Sequence, residues 1–287
     1  MPVLLIVLSR IVNQFESIFI KKYNSKHTEG GFIFTAIVSL VSGLFFLAAD
    51  LVSDASGLTF TLPVVGYAIA AGVSFALASI LTYVALGCGS FVLSRLVLSY
   101  GILITIGQGL VMGESVSLWG WTGIGLVVLS LFFVKGNNND DKVSVTAKWV
   151  VTIGLSVVFA GVFGILQRYQ QVKFSHAYDN EFMLLTLVIA AAILFVIGII
   201  INGKDMGCIL KNGSLYAVGA GLSNGATNFL TLFVYTLAPM SFVAPMNAGT
   251  GIIISFIISK IIFKEKFSLL QYIGVVLGGV ALVLFQL

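Results

Sequence analysis

The sequence predicts an all-α integral membrane protein, with ten transmembrane helices arranged as two inverted five-helix repeats. Three observations lead there. Of 287 residues, 59% are hydrophobic and only 9% are charged, and the mean hydropathy is +1.09. A soluble domain carries about 25% charged residues, so an ordinary soluble enzyme is excluded: its surface could not be kept wet. Ten apolar runs follow one another, and the two halves of the chain match each other at a fixed offset.

The runs fall at about 3–20, 31–49, 62–86, 90–112, 117–134, 147–168, 182–202, 213–237, 241–263 and 268–286. Each is near the roughly 20 apolar residues that cross a hydrocarbon core. No break between them is long enough for a soluble domain. The most polar stretch, Gly136-Asn137-Asn138-Asn139-Asp140-Asp141-Lys142, lies near the middle. It reads as a linker over 136–146, between a first repeat at 1–135 and a second at 147–287. The N-terminus lacks a basic n-region, and its first apolar run holds Arg10 and Glu16, so no cleavable signal peptide is expected. Cys88 and Cys208 are too few for a disulfide framework or a zinc site. The net charge of +4 is spread over interhelical loops, which argues against a nucleic-acid partner.

Shifting the numbering by 151 lays Ser90-Phe91-Val92 on Ser241-Phe242-Val243 without a gap. The same shift lays Glu114 on Glu265, Ser117-Leu118 on Ser268-Leu269, Gly123 on Gly274 and Trp121 on Tyr272. The first helix of each half aligns less well, at a shift of 146 that lays Tyr23 on Tyr169. A unit with an odd number of spans must re-enter the membrane from the opposite side when copied. The copies are then related by an axis in the membrane plane. That inverted architecture is characteristic of secondary transporters, whose site lies between the repeats near the midplane.

The first run carries Arg10, Asn13, Gln14, Glu16 and Ser17. Charged residues in a span usually face the interior and mark a pathway or a partner. A carboxyl group withdrawn from water takes up a proton more readily, which makes Glu16 a proton-coupling candidate. Its alternative role is a static partner for Arg95 or another cation. The third run offers Ser74 and Tyr83. The fourth holds Arg95, Tyr100 and Gln108; Arg95 would bind an anionic group or snorkel its head to the interface. The fifth and tenth runs open with Ser117 and Ser268, which can cap the helices that follow, so Glu114 and Glu265 at the matched turns read as structural.

The eighth run gives the cleanest polar signal. Asn224, Thr227, Asn228, Thr231 and Tyr235 recur at helical spacing and form one stripe down an otherwise apolar helix. In hydrocarbon such a stripe must face protein or a wet cavity. It reads as cavity lining or as hydrogen bonding that binds helices together. The ninth run adds Asn247 and Thr250 beside Pro245, Gly249 and Gly251, a composition suited to a bending helix.

These repeats resemble the drug/metabolite transporter superfamily, specifically its EamA-type branch. The repeat endings MGESVSLWGWTGIGLVVLSLFFV and FKEKFSLLQYIGVVLGGVALVLF are similar to that family's glutamate, short turn and glycine-bearing final helix. The resemblance covers essentially the whole chain and implies transport without naming a substrate. The small multidrug relatives carry a glutamate in the first helix, which Glu16 resembles, but lack an arginine such as Arg10.

The expected function is secondary active transport of a small polar or charged metabolite, an amino acid or related compound and most simply its export, by alternating access. The alternatives are an importer or exchanger of a sugar, nucleoside or phosphorylated metabolite, a small-cation or multidrug exporter and, more distantly, a channel or membrane scaffold. No enzymatic constellation, metal site or cofactor is expected; His27 and His176 fall in loops. The expected partners are a small-molecule metabolite, the lipid bilayer, and protons or counter-ions. The location expected is a cell membrane, of the bacterial inner-membrane kind. For orientation, the resemblance implies cytoplasmic termini. The loops after runs 1, 5, 7 and 9 instead carry eleven lysines against only Arg168 and Lys173 on the other side, and the positive-inside rule then puts both termini outside.

Overall fold

The structure, a computed structural model, describes residues 2–24, 31–52, 57–88, 97–98, 101–111, 113–134, 146–175, 177–203, 206–262 and 268–284. Among these residues the fold is entirely helical. In chain order the helices are α1 (Pro2–Asn24), α2 (Gly31–Val52), α3 (Leu62–Cys88), α4 (Ile102–Val111), α5 (Leu118–Val134), α6 (Ala147–Phe174), α7 (Asp179–Asn202), α8 (Met206–Asn212), α9 (Ser214–Leu237), α10 (Met240–Ile261) and α11 (Leu269–Leu284). Most of the expected linker, 136–145, lies outside the described residues, as do Arg95, Tyr100, His27, His176 and Glu265.

Six of these helices, α1, α2, α3, α6, α7 and α10, contain segments long and apolar enough to cross a membrane. Their outward side chains fit lipid: Leu62 is 86% exposed and Leu51 75%, an arrangement water would penalise. The chain thus has the build of a multi-pass membrane protein. α9 has 24 residues yet is not among the six, because Asn224, Thr227, Asn228 and Thr231 dilute its apolar character.

Helix ends follow local chemistry. Ser117 Oγ accepts the Gly120 amide at 3.0 Å, and Thr146 Oγ1 accepts that of Trp149 at 3.2 Å. At α11, Ser268 Oγ accepts the Gln271 amide at 3.4 Å while Gln271 Oε1 accepts the Ser268 amide at 2.8 Å, the reciprocal bonding of a capping box. α7 has no side-chain cap but carries Asp179 and Glu181 in its first turn, where the helix dipole favours negative charge.

The chain divides into two compact units. One contains Ile11–Ile80 and Val162–Thr236; the other contains Met1–Arg10, Leu81–Gly161 and Leu237–Leu287. Each unit therefore takes segments from both sides of the linker.

In the first of these units, α2 and α7 pack along their lengths. Gly198 lies against Ile33, Gly43 against Leu187, and Asn180 Nδ2 bonds Asp50 Oδ1 at 3.4 Å, so the two helices run antiparallel. Phe46, Phe182, Met183 and Leu187 form the core at one end, with Val64, Ala68 and Ala71 of α3; Phe32, Ala36, Ala190 and Leu194 form it at the other. α9 lies on α2, with Gly221 on Val38 and Val41 and Gly225 on Phe45. These small residues let backbones approach closely, the usual basis of helix association where lipid removes the hydrophobic drive. α1 covers α9 through Phe19 on Gly219 and Tyr23 beside Gly213, and the Tyr23 ring stacks on Phe34 at 4.3 Å.

In the other unit, α5 packs on α11, and α10 packs on α4, α5 and α11. Leu282 sits where Gly249 leaves room, and Ile104 where Gly161 does. Glu114, just past α4, accepts the backbone amides of Met240 at 3.1 Å and Ser241 at 2.8 Å. It thereby satisfies two of the free donors that open α10, in keeping with a structural part for this glutamate.

Candidate functional site

The polar residues of α1, α2 and α9 converge on one carboxylate. Asn224 is ten residues into α9 and Ser42 eleven residues into α2, so both sit about 15 Å along their helices, near the middle of each. Asn224 Nδ2 lies 3.1 Å from Glu16 Oε1 and 3.2 Å from Oε2. Asn13 Nδ2, one turn earlier on α1, donates to Glu16 Oε2 at 3.1 Å. On the far side, Asn224 Oδ1 accepts the Ser42 hydroxyl at 2.8 Å and Asn228 Nδ2 at 2.9 Å. Ser42 is wholly buried, while Glu16, Asn13, Asn224 and Asn228 are half-buried.

Each of these bonds is donated toward Glu16, from Asn228 and Ser42 through Asn224 and from Asn13 directly. Donors aligned in this way polarise one another and hold the carboxylate in place. The result is an acceptor pole near the middle of α9, with amide groups around it that can donate or accept. It can receive a positive or hydrogen-bond-donating group of a small solute.

The remaining expected residues fall into distinct environments. Thr227 and Thr231 donate to the carbonyls of Ser223 and Thr227 at 2.8 Å each, so their hydroxyls are spent along α9 itself. Ser74 is buried and donates to Ala70 O at 2.7 Å. Tyr235, at the end of the stripe, is buried, and its carbonyl accepts Arg168 Nη1 at 2.6 Å. Gln14 is buried on α1. Tyr83, Asn247 and Thr250 belong to the other unit. Tyr83 is exposed; Asn247 Oδ1 and Thr250 Oγ1 are buried and lack a hydrogen-bond partner among the described residues. Arg10 packs near Gly251, one residue beyond Thr250, and its Nε donates to Ser9 Oγ at 3.4 Å.

Sequence reasoning missed Ser42. Thr35, Ser39 and Ser42 recur at helical spacing in the run 31–49, a thin polar line that could have pointed to it, and its contact with Asn224 gives it meaning.

Comparison with known proteins defines the fold more than the chemistry. No protein-family model matches the chain, and no curated protein matches it in sequence. Among solved structures, 28 chains match. One, a crystal structure of a protein, is similar over 100% of this chain and 98% of its own, with a TM-score of 0.75 at 13% identity. At that identity the likeness establishes a shared fold: the whole chain adopts an architecture already seen in a crystal.

Proposed function

We propose that this chain is a secondary active transporter of the EamA-type branch of the drug/metabolite transporter superfamily. It moves a small polar or charged metabolite, an amino acid or related compound, across a cell membrane by alternating access, most simply outward. The bacterial inner membrane is the location the resemblance favours. The observation that carries this reading is the Glu16–Asn224 pair: a carboxylate and an amide from opposite halves of the sequence, joined within apolar helices.

Three relationships support the inverted duplication behind it. α2 and α7, second in each half, pack antiparallel, as equivalent helices of inverted copies must. The two segments of one compact unit begin at Ile11 and Val162, 151 residues apart; the first helices align at 146, and 151 is the offset that aligns the later spans of the halves. The Glu114–Ser241 contact joins two motifs that recur at that same offset, the turn glutamate and Ser-Phe-Val. In this reading Glu16 and Asn224 contact solute, Asn228, Asn13 and Ser42 orient them, and the helices of the two halves exchange inward and outward shapes around them.

An exporter of small organic cations is a second reading, favoured by the acceptor character of Glu16. One experiment separates both from a channel or scaffold. The purified chain, reconstituted in liposomes, should catalyse counterflow of a labelled solute from a panel of amino acids, other metabolites and organic cations. Saturable counterflow of an amino acid supports the first reading, and of a cation the second. Inertness across the panel would overturn both.

A further inference from the structure

A second polar cluster lies away from Glu16, at the junction of α6 and α7. Gln170 and Gln171, in the last turn of α6, are wholly buried. Gln171 Nε2 donates to Asp179 Oδ2 at 3.3 Å and to the carbonyl of Leu232 at 3.1 Å. Gln170 Nε2 donates to the carbonyl of Ala177 at 2.8 Å, and its side chain also lies against the Asp179 carboxyl group. Because these partners are acceptors, neither amide can be turned around: each nitrogen is held where it is.

That leaves, among the described residues, three buried oxygens with no donor: Gln170 Oε1, Gln171 Oε1 and Asp179 Oδ1. Among the described residues, the charge that bears on Asp179 is another carboxylate, Glu181, itself buried and accepting the Thr59 amide at 3.0 Å. Lys173, nearby on α6, donates to Tyr67 Oη at 2.9 Å and stands over the Tyr67 ring; Asp50 receives Asn180. Buried polar oxygens left bare cost about 1–3 kcal/mol each, so three together imply something that supplies positive charge.

We infer that Asp179, Gln170 and Gln171 form a binding site for a monovalent hard cation, Na+ being the simplest. These three acceptors are all oxygens, which suits a hard ion. One carboxylate with two neutral amides balances a single charge, where Ca2+ usually gathers several carboxylates. The site lies at the C-terminal end of α6, whose dipole favours cations. A proton on Asp179 would serve one acceptor at a time, whereas a cation can be shared by several. The inference does not depend on the transport reading.

The test is thermal unfolding of the purified full chain, with NaCl replacing choline chloride at constant ionic strength and pH. Na+ at 100 mM should raise Tm by about 3 °C or more over choline. Asp179→Asn should abolish the rise while matching or exceeding the wild-type Tm in choline, since the new amide can donate to a glutamine oxygen. Gln171→Leu should also abolish it. Equal wild-type Tm in Na+ and choline, a rise produced only by Ca2+ or Mg2+, or a Na+ rise that survives Asp179→Asn would overturn the site. So would stabilisation by acid alone, which would assign a proton in place of the cation. The wild-type titration decides even where a variant fails to fold.

Discussion

The Asn224 side chain holds both oxygens of the Glu16 carboxylate, at 3.1 and 3.2 Å, and passes on to that carboxylate the bonds it receives from Ser42 and Asn228. α1, α2 and α9 are thereby tied through one amide. Removing it strands groups on all three helices.

Asn224→Ala should therefore reduce stability by about 1–3 kcal/mol, because the Ser42 hydroxyl and the Glu16 carboxylate lose a partner away from bulk water. Ser42→Ala removes a donor whose partner keeps Asn228, and should cost about 1 kcal/mol. The two changes share one bond, so their combined cost should fall short of the sum. Thermal unfolding of the four proteins of this cycle checks it; strict additivity would separate Ser42 from the network. In counterflow, Asn224→Ala and Glu16→Gln should lose most transport.

Gly72 faces the backbone of α7. A Cβ there would lie 2.7 Å from Thr186 O and 3.0 Å from Ile189 Cβ, and a main-chain oxygen cannot swing aside. Gly72→Ala should cost about 1–3 kcal/mol by overpacking. Gly66, two turns earlier on α3, has open space around that position, so Gly66→Ala should be neutral or mildly stabilising through the unfolded state. The melting temperatures of the two variants should move apart.

Glu114 opens α10 by accepting the amides of Met240 and Ser241. Glu114→Ala should cost about 1–2 kcal/mol, the range of a lost cap with a charged acceptor. The Glu114 carboxylate also occupies the space a side chain at Gly109 would need. Gly109→Ala should disturb the same cap, and it should do less harm in Glu114→Ala than in the wild type. Chemical or thermal unfolding of the double mutant measures that coupling.

Arg168 donates to the Tyr235 carbonyl in the last turn of α9, where helix carbonyls lack internal partners. Arg168→Met should cost about 1–3 kcal/mol, the range for hydrogen bonds to charged groups. Faster amide hydrogen exchange localised to the end of α9 is the expected signature; unchanged exchange there would assign Arg168 another part.

The helices were legible in the sequence because hydrocarbon permits few alternatives to a saturated helix. Each apolar run contains one of α1–α7 or α9–α11. The helices overrun the apolar text where polar residues stay helical: α1 continues to Asn24 and α6 to Phe174. The short α8 has no apolar run of its own and precedes α9 across Gly213.

The site was legible in part. Asn224 and Asn228 stood out because a polar stripe in an apolar helix is costly unless used, and Glu16 because a charge in a span is costlier still. Thr227 and Thr231 share that periodicity but bond their own helix, a choice that spacing cannot reveal. Gln170, Gln171 and Asp179 lie at helix ends, where polar residues are ordinary. Only their surplus of acceptors, a property of three-dimensional bonding, sets them apart.

Alternating access requires that the polar stripe of α9 be reached by water from each side of the membrane in turn. Thr231 is half-buried, one turn beyond Asn228, and its hydroxyl bonds only along α9, so Thr231→Cys in a chain with Cys88 and Cys208 replaced by serine is a mild probe. Membrane-impermeant maleimide should label it when applied to either face of sealed vesicles, and the transported solute should slow the labelling. A thiol that reacts from one face only, or from neither, would contradict the account.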